Sequence, residues 1–223
     1  MKRELNKGIN VIIMVISVII GIVGILVLVL IAHMMRINNI GVRGASLQQS
    51  GKDLFVICSA GGYVGKENRS MSFTNSTEML RDILPGMEDS IRCRILPKSG
   101  FSKGRLESID NIWVFAKNIP EDADGAAIVV ATRNIDPDLL RLNFSANEMD
   151  DPLILHSETS GILKHLTLAV RKDGHSCLFW NNGPHRYTFR DLFDTPFTVT
   201  NRAGHPVSYL FPTGEWIPRT ITP

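Results

Sequence analysis

Apolar residues run along this chain in three successive patterns. The first is uniform: residues 9–32, INVIIMVISVIIGIVGILVLVLIA, hold 24 positions without one charged side chain. At about 1.5 Å of rise per residue, a helix of that length crosses a hydrocarbon core of roughly 30 Å. Buried core helices rarely hold more than about a dozen uniformly apolar residues. A cleaved secretory signal has an apolar stretch of about 7–15 residues ending on a small-x-small site, whereas this run ends on HMMR. The pattern therefore predicts one membrane-spanning helix over residues 9–35.

The second pattern is helical and one-sided. Ile37, Ile40, Leu47, Leu54, Ile57 and Cys58 recur at helical spacing, with Arg43, Gln48, Gln49 and Lys52 between them. The helix is expected to continue over residues 36–62 and to pack one face on a domain. Gly41, Gly44 and Gly51 each cost a helix about 1 kcal/mol relative to alanine, which predicts either a soft helix or a close neighbour. Gly61 and Gly62 predict its C-terminal stop. A second helix is expected over residues 75–84. There Asn75 caps, Glu78 completes a capping box, Met79, Leu80, Ile83 and Leu84 make the apolar face, and Pro85 ends it. The basic, turn-rich ILPKSGFSKGR that follows reads as a solvated loop.

From residue 112 the period becomes two. IWVFAKNI and AAIVVAT flank PEDADG, and LTLAV and SCLFW flank RKDGH, so Asp124-Gly125 and Asp173-Gly174 predict hairpin turns. FTVT and VSYLF flank NRAGHP, a third expected hairpin. The fold class is α+β. A long N-terminal membrane-spanning helix continues into an amphipathic helix that packs on an antiparallel, hairpin-built sheet over residues 112–211. The domains expected are a basic leader (1–8), the span (9–35) and an extracytoplasmic body (36–223).

Charge orients this layout and removes some functions. Lys2, Arg3 and Lys7 outweigh Glu4 before the span, and only Arg36 and Arg43 follow it before Lys52, which places the N-terminus in the cytoplasm and the body outside. Overall, 24 basic side chains meet 22 acidic ones, so nothing in the charge calls for a nucleic-acid partner. FVICSAGGYVGKE looks like a phosphate-cradling loop, with Gly65 and Lys66 in place. Ala60 replaces the first glycine and Glu67 the Mg²⁺-binding hydroxyl, so no nucleotide is expected. Cys58, Cys93 and Cys177 form no C-x-x-C pair. Cys93–Cys177 is the first disulfide to test in an external domain, against the reading of three small buried thiols. The histidines form no H-x-x-x-H or H-E-x-x-H pair. GHSCL has Leu178 where a nucleophile elbow needs glycine, and adjacent strand residues face opposite sides. No catalytic residue, cofactor or metal is expected.

The layout resembles the type IV pilins and the pseudopilins of type II secretion. KRELNKG stands for the family's leader, INVIIMVISVIIGIVGILVLVL for its apolar helix and GASLQQSGKDLFVICSAGG for the amphipathic half. NSTEMLRDIL, NIWVFAKNI, AIVVATRN and LTLAVRKDG look like the pseudopilin-type body. Ile9 and Ile13 stand where the family usually has phenylalanine and glutamate, and Leu30 where it usually has a kinking proline. The resemblance implies leader cleavage between Gly8 and Ile9 and a bacterial inner-membrane location, with the body periplasmic or at the cell surface. It also implies a structural role in a pilus or secretion assembly, the partners being membrane lipid and other pilin-like subunits or copies of the chain. The rival readings are a single-pass, membrane-anchored binding or sensing domain that does not assemble, and an anchored hydrolase using Ser176, Cys177 or the histidines.

Overall fold

The computed structural model describes residues 2–64, 69–96, 106–159, 161–183, 185–199 and 206–218. The chain divides into two units, Met1–Arg43 and Gly44–Pro223. Helix α1 (Lys2–Ala60) makes the first and opens the second.

Within unit 1 the helix carries no charged residue over 9–32, and no described side chain of residues 14–39 is buried. Ile20 is 65 % exposed and Leu26 63 %. This helix is long and apolar enough to cross a membrane.

Unit 2 begins where α1 becomes one-sided. Gly44, Leu47, Ser50, Gly51, Leu54 and Cys58 are buried, while Ala45, Gln49, Lys52 and Val56 are exposed. The expected stripe thus starts at Gly44; Ile37, upstream in unit 1, is 42 % exposed. The helix stops as its glycines predict. Gly62 takes the left-handed conformation (φ 72°). Tyr63 N–H donates to Cys58 C=O (2.9 Å) and Gly62 N–H to Ser59 C=O (3.3 Å), a Schellman ending.

Helices α2 (Ser76–Ile83), α3 (Asp89–Ile95) and α4 (Phe189–Leu192) follow. Asn75 caps α2 by accepting Glu78 N–H (2.9 Å). The expected box is displaced by one residue, because Glu78 takes Thr74 N–H (3.1 Å) and Thr74 Oγ1–H (2.8 Å). α3 was not foreseen. It is fixed from the sheet, where Trp113 Nε1–H donates to Ile95 C=O (2.9 Å).

Strands β1 (Trp113–Lys117), β2 (Ile128–Thr132), β3 (Asn143–Phe144), β4 (Leu166–Arg171), β5 (Ser176–Trp180), β6 (Phe197–Thr198), β7 (Ser208–Phe211) and β8 (Gly214–Trp216) form two antiparallel sheets. The larger has the order β5-β4-β2-β1-β7-β8. The expected β4–β5 hairpin is present, pairing Leu166 with Trp180 through Val170 with Ser176. Gly174 supplies its left-handed residue (φ 82°), and Arg171 N–H reaches His175 C=O (2.9 Å). β1 and β2 also pair as expected, but residues 118–127 connect them, so Asp124-Gly125 is not a two-residue turn. The third expected hairpin is absent: β6 pairs with β3 in the small sheet, while β7 pairs with β1 and β8. The sheet therefore runs on to Trp216, past the expected limit at 211. Of the NRAGHP stretch, residues 201–205 lie outside the described residues, as do residues 97–105 of the expected basic loop.

Both faces of the large sheet are covered. On one, Leu166, Leu168, Val170 and Leu178 meet α1. On the other, Cys177 and Arg171 reach Leu192 C=O, and the rings of Phe144, Phe189, Phe193 and Phe197 cluster with centroids 4.5–5.5 Å apart. Every residue of β2 and β4 is buried in consequence. Burial alone would raise the Asp173 pKa, but the Arg171 guanidinium and the His175 N–H hold it below the usual carboxylate range. Arg171 also pairs with Asp194 (2.8 Å).

Two outcomes follow for the full chain in detergent. A Cβ on Gly51 would lie 2.5 Å from Leu168 Cδ2 and 3.1 Å from Val170 Cγ2. Gly51→Val is therefore expected to lower stability by about 1–3 kcal/mol in thermal melts. Gly41→Ala, with nothing within 4 Å, keeps or raises the midpoint. Because the folded Asp173 pKa lies below the unfolded value of about 3.9, its contribution is complete above that pH and is lost as pH falls through the folded value. Melts recorded from neutral pH downward should show this acid decline, and Asp173→Asn should make it shallower.

Candidate functional site

Two features stand out as candidates: the exposed apolar helix of unit 1 and, within unit 2, the seat of the amphipathic half. The first follows from composition alone, because a helix with only Asn10 and Ser17 polar over residues 9–32 has no polar face to turn toward water. The seat depends on two glycines. A Cβ on Gly44 would stand 3.0 Å from Leu178 Cδ2, and one on Gly51 would overlap Leu168, so bare helix backbone lies against leucine side chains of β4 and β5. Gln48, between the glycines, donates through Nε2 to Ser176 Oγ (2.9 Å) and to Ser176 C=O (3.2 Å), joining the helix to β5. Ser50 satisfies its buried hydroxyl within the same layer, on Ser46 C=O (2.8 Å) and Arg94 C=O (3.1 Å). Arg94 pairs with Asp53 (2.9 Å) on the exposed flank.

The residues singled out for chemistry are spread over unit 2. Ser176 is tied to Gln48 on the α1 face, whereas Cys177 faces the opposite layer with Sγ 3.8 Å from Leu192 C=O. Burial pushes the Cys177 thiol up to about 11 and the Cys58 thiol up to about 12, so both are neutral near pH 7. The disulfide considered for Cys93 and Cys177 is not formed, and all three cysteines are free thiols. Cys93 is exposed, so the expectation of three buried thiols holds for two. His156 stands beside Asp136 (3.2 Å) and His185 lies edge-on to Tyr187; His205 lies outside the described residues. Among the described residues no group of three or more His, Cys, Asp or Glu side chains gathers as a metal site would require.

The phosphate-loop stretch takes a different form from the one its pattern suggests. The apolar run before it is helix, and Ala60 is the last residue of α1, whereas a phosphate loop follows a strand. Gly65, Lys66 and Glu67 lie outside the described residues. Gly8 and Ile9 lie in α1. A depression of about 560 Å³ beside α2 is lined by Thr77, Glu78, Arg81, Glu107 and Pro212. Most of its polar groups are engaged by the chain itself: Arg81 Nε–H reaches Leu106 C=O (3.0 Å), Glu78 holds Thr74, and Thr77 Oγ1 donates to Pro212 C=O (3.2 Å).

No protein-family model, curated protein or solved structure matches the chain.

Thiol labelling checks this arrangement. With a maleimide at neutral pH the native protein should take up one label per chain, at Cys93, and three after denaturation. Fast labelling of Cys58 or Cys177 in the native state would contradict the packing of both layers.

Proposed function

We propose that this chain is a non-enzymatic, pilin-like subunit of a pilus or type II secretion-type assembly, held in the inner membrane by its N-terminal helix with unit 2 outside. The observation that carries the reading is the helix itself. One uninterrupted α1 is uncharged and exposed over residues 16–32, then becomes one-sided and lies directly on an antiparallel sheet at Gly44 and Gly51. That is the division of labour the pilin family uses. Membrane lipid, other pilin-like subunits or copies of the chain itself are the partners such a helix fits, because each offers an apolar surface without charge. Lys2, Arg3 and Lys7 before the span favour a cytoplasmic N-terminus.

A second reading has a specific observation in its favour. Ile13 stands where the family usually carries the glutamate used in subunit pairing. A single-pass anchor whose outer domain binds or senses without assembling needs no such residue.

Processing separates the two. A prepilin peptidase cuts after a glycine joining a basic leader to an apolar helix, and Lys7-Gly8-Ile9 offers that junction. Glycine suits the site because no side chain keeps the backbone from the catalytic carboxylates. Intact-mass measurement on protein from its native host is expected to show a mature chain starting at Ile9. The protein should also be found in sheared surface material. A chain that retains Met1 or Lys2 and stays wholly with the membrane would leave the non-assembling anchor.

A further inference from the structure

β5 ends in a tight turn with the sequence Trp180-Asn181-Asn182-Gly183. Gly183 N–H donates to Trp180 C=O (3.0 Å), which closes the turn. A Cβ on Gly183 would stand 3.2 Å from the Trp180 carbonyl oxygen and 3.3 Å from Trp180 Cβ, so packing calls for glycine here. The turn also holds a neighbouring segment in place. Asn181 N–H donates to His165 C=O (2.8 Å), and Asn182 Nδ2 donates to Lys164 C=O (2.9 Å) at the end of the 3₁₀ turn Ile162–Lys164. Asn182 itself is exposed.

The glycine that closes this turn makes the residue before it chemically labile. A backbone nitrogen can attack the side-chain carbonyl carbon of a preceding asparagine, and glycine hinders that approach least because it has no side chain. Every other asparagine of the chain precedes a residue that has one, and Asn111, Asn118 and Asn134 are buried as well. Hydrogen bonds restrain Asn182 in the folded chain. Its amide is turned to Lys164 C=O, Ser157 Oγ–H donates to its Oδ1 (3.4 Å), and Gly183 N–H is held on Trp180 C=O. Attack requires these bonds to be released, which takes a local opening and not global unfolding.

We propose that Asn182 is a site of spontaneous deamidation, gated by the opening of this turn. Gly183 N forms a bond to Asn182 Cγ, its proton passes through solvent to the side-chain nitrogen, and the Cγ–Nδ2 bond breaks to release ammonia. Water then opens the cyclic imide at either carbonyl, leaving aspartate, or isoaspartate in which the main chain runs through the side-chain carboxyl. Nothing is oxidised or reduced, and water is the sole co-reactant. Either product replaces an N–H donor with a carboxylate, which has no hydrogen to give to Lys164 C=O, so the tie to residues 162–164 is lost. The change also adds one negative charge, and converted molecules accumulate with time.

Peptide mapping of the full chain tests this, with protein kept for days in detergent at mildly alkaline pH and a parallel sample unfolded in guanidinium chloride. The peptide holding Asn182 should acquire the mass of an acid in place of an amide, split between aspartate and isoaspartate, while peptides holding the other asparagines lag. The folded sample should convert about tenfold more slowly than the unfolded one. Asn182→Asp supplies the product directly. His165 N–H, which donates to Ile162 C=O (3.1 Å), should exchange with solvent faster in that variant, with β2 unchanged as an internal reference. No conversion at Asn182 in either sample, or conversion led by another asparagine, overturns the site. Equal rates in folded and unfolded protein overturn the gate, and unchanged exchange at His165 overturns the lost tie.

Discussion

How close a helix can lie to a sheet is set by the side chains between them, and at Gly44 and Gly51 the helix contributes none. Leu166, Leu168, Val170 and Leu178 fill the space directly against the backbone of α1. The other contacts of this layer follow from that approach. Leu47, Leu54 and Cys58 reach full burial, and Gln48 is near enough to donate to Ser176. Two glycines cost a helix about 2 kcal/mol in propensity, whereas burying each leucine contributes about 1.5–3 kcal/mol. Packing outweighs propensity here, and a β-carbon at Gly51 would reverse the balance.

The opposite face of the sheet is closed by different means. Ala131 and Ala169 are small, and over that side of the sheet the second layer packs the rings of Phe144, Phe189, Phe193 and Phe197. Arg171 ties the layers together, reaching Leu192 C=O and Asp194 from β4 while pairing with Asp173 in the turn. Unit 2 is consequently three layers deep, with α1 as a wall of one of them. The sheet itself carries the polar knots that fix loop to strand: Asn134 donates to Leu163 C=O (3.1 Å) and Thr167 Oγ1 (2.9 Å).

Features that reside in a few adjacent residues were legible in the sequence. The uncharged run, the glycine stop, the Asn75 cap and the Asp173-Gly174 turn are all of this kind. Features that depend on distant partners were not. FTVT and VSYLF each read as strands, but nothing in either says that β6 pairs with β3 and β7 with β1. DSIRCRI offers only Ile91 and Ile95, four residues apart, as an apolar face, too short a pattern to announce a helix, and it is held by an indole from β1. AAIVVAT reads as one side of a hairpin, and its continuous apolar run is what a strand buried on both faces requires. The Gly8–Ile9 junction is meaningful only through its neighbours in sequence, a basic leader and an apolar run.

The apolar helix sets the last constraint. Residues 16–31 expose about half or more of most of their Ile, Leu and Val side chains. Covering them is worth about 1.5–3 kcal/mol each, in sum more than the roughly 5–15 kcal/mol by which a whole domain is stable. Something apolar has to cover them. Lipid tails and the flanks of other such helices are equally apolar, so hydrophobicity does not choose between a bilayer and a bundle of subunits. Charge does: Lys2, Arg3 and Lys7 hold the near end of an uncut helix at the aqueous surface, because dragging each through the hydrocarbon would cost about 2.5–3.5 kcal/mol. A chain that begins at Ile9 has lost all three, and only its new amino group remains to resist withdrawal.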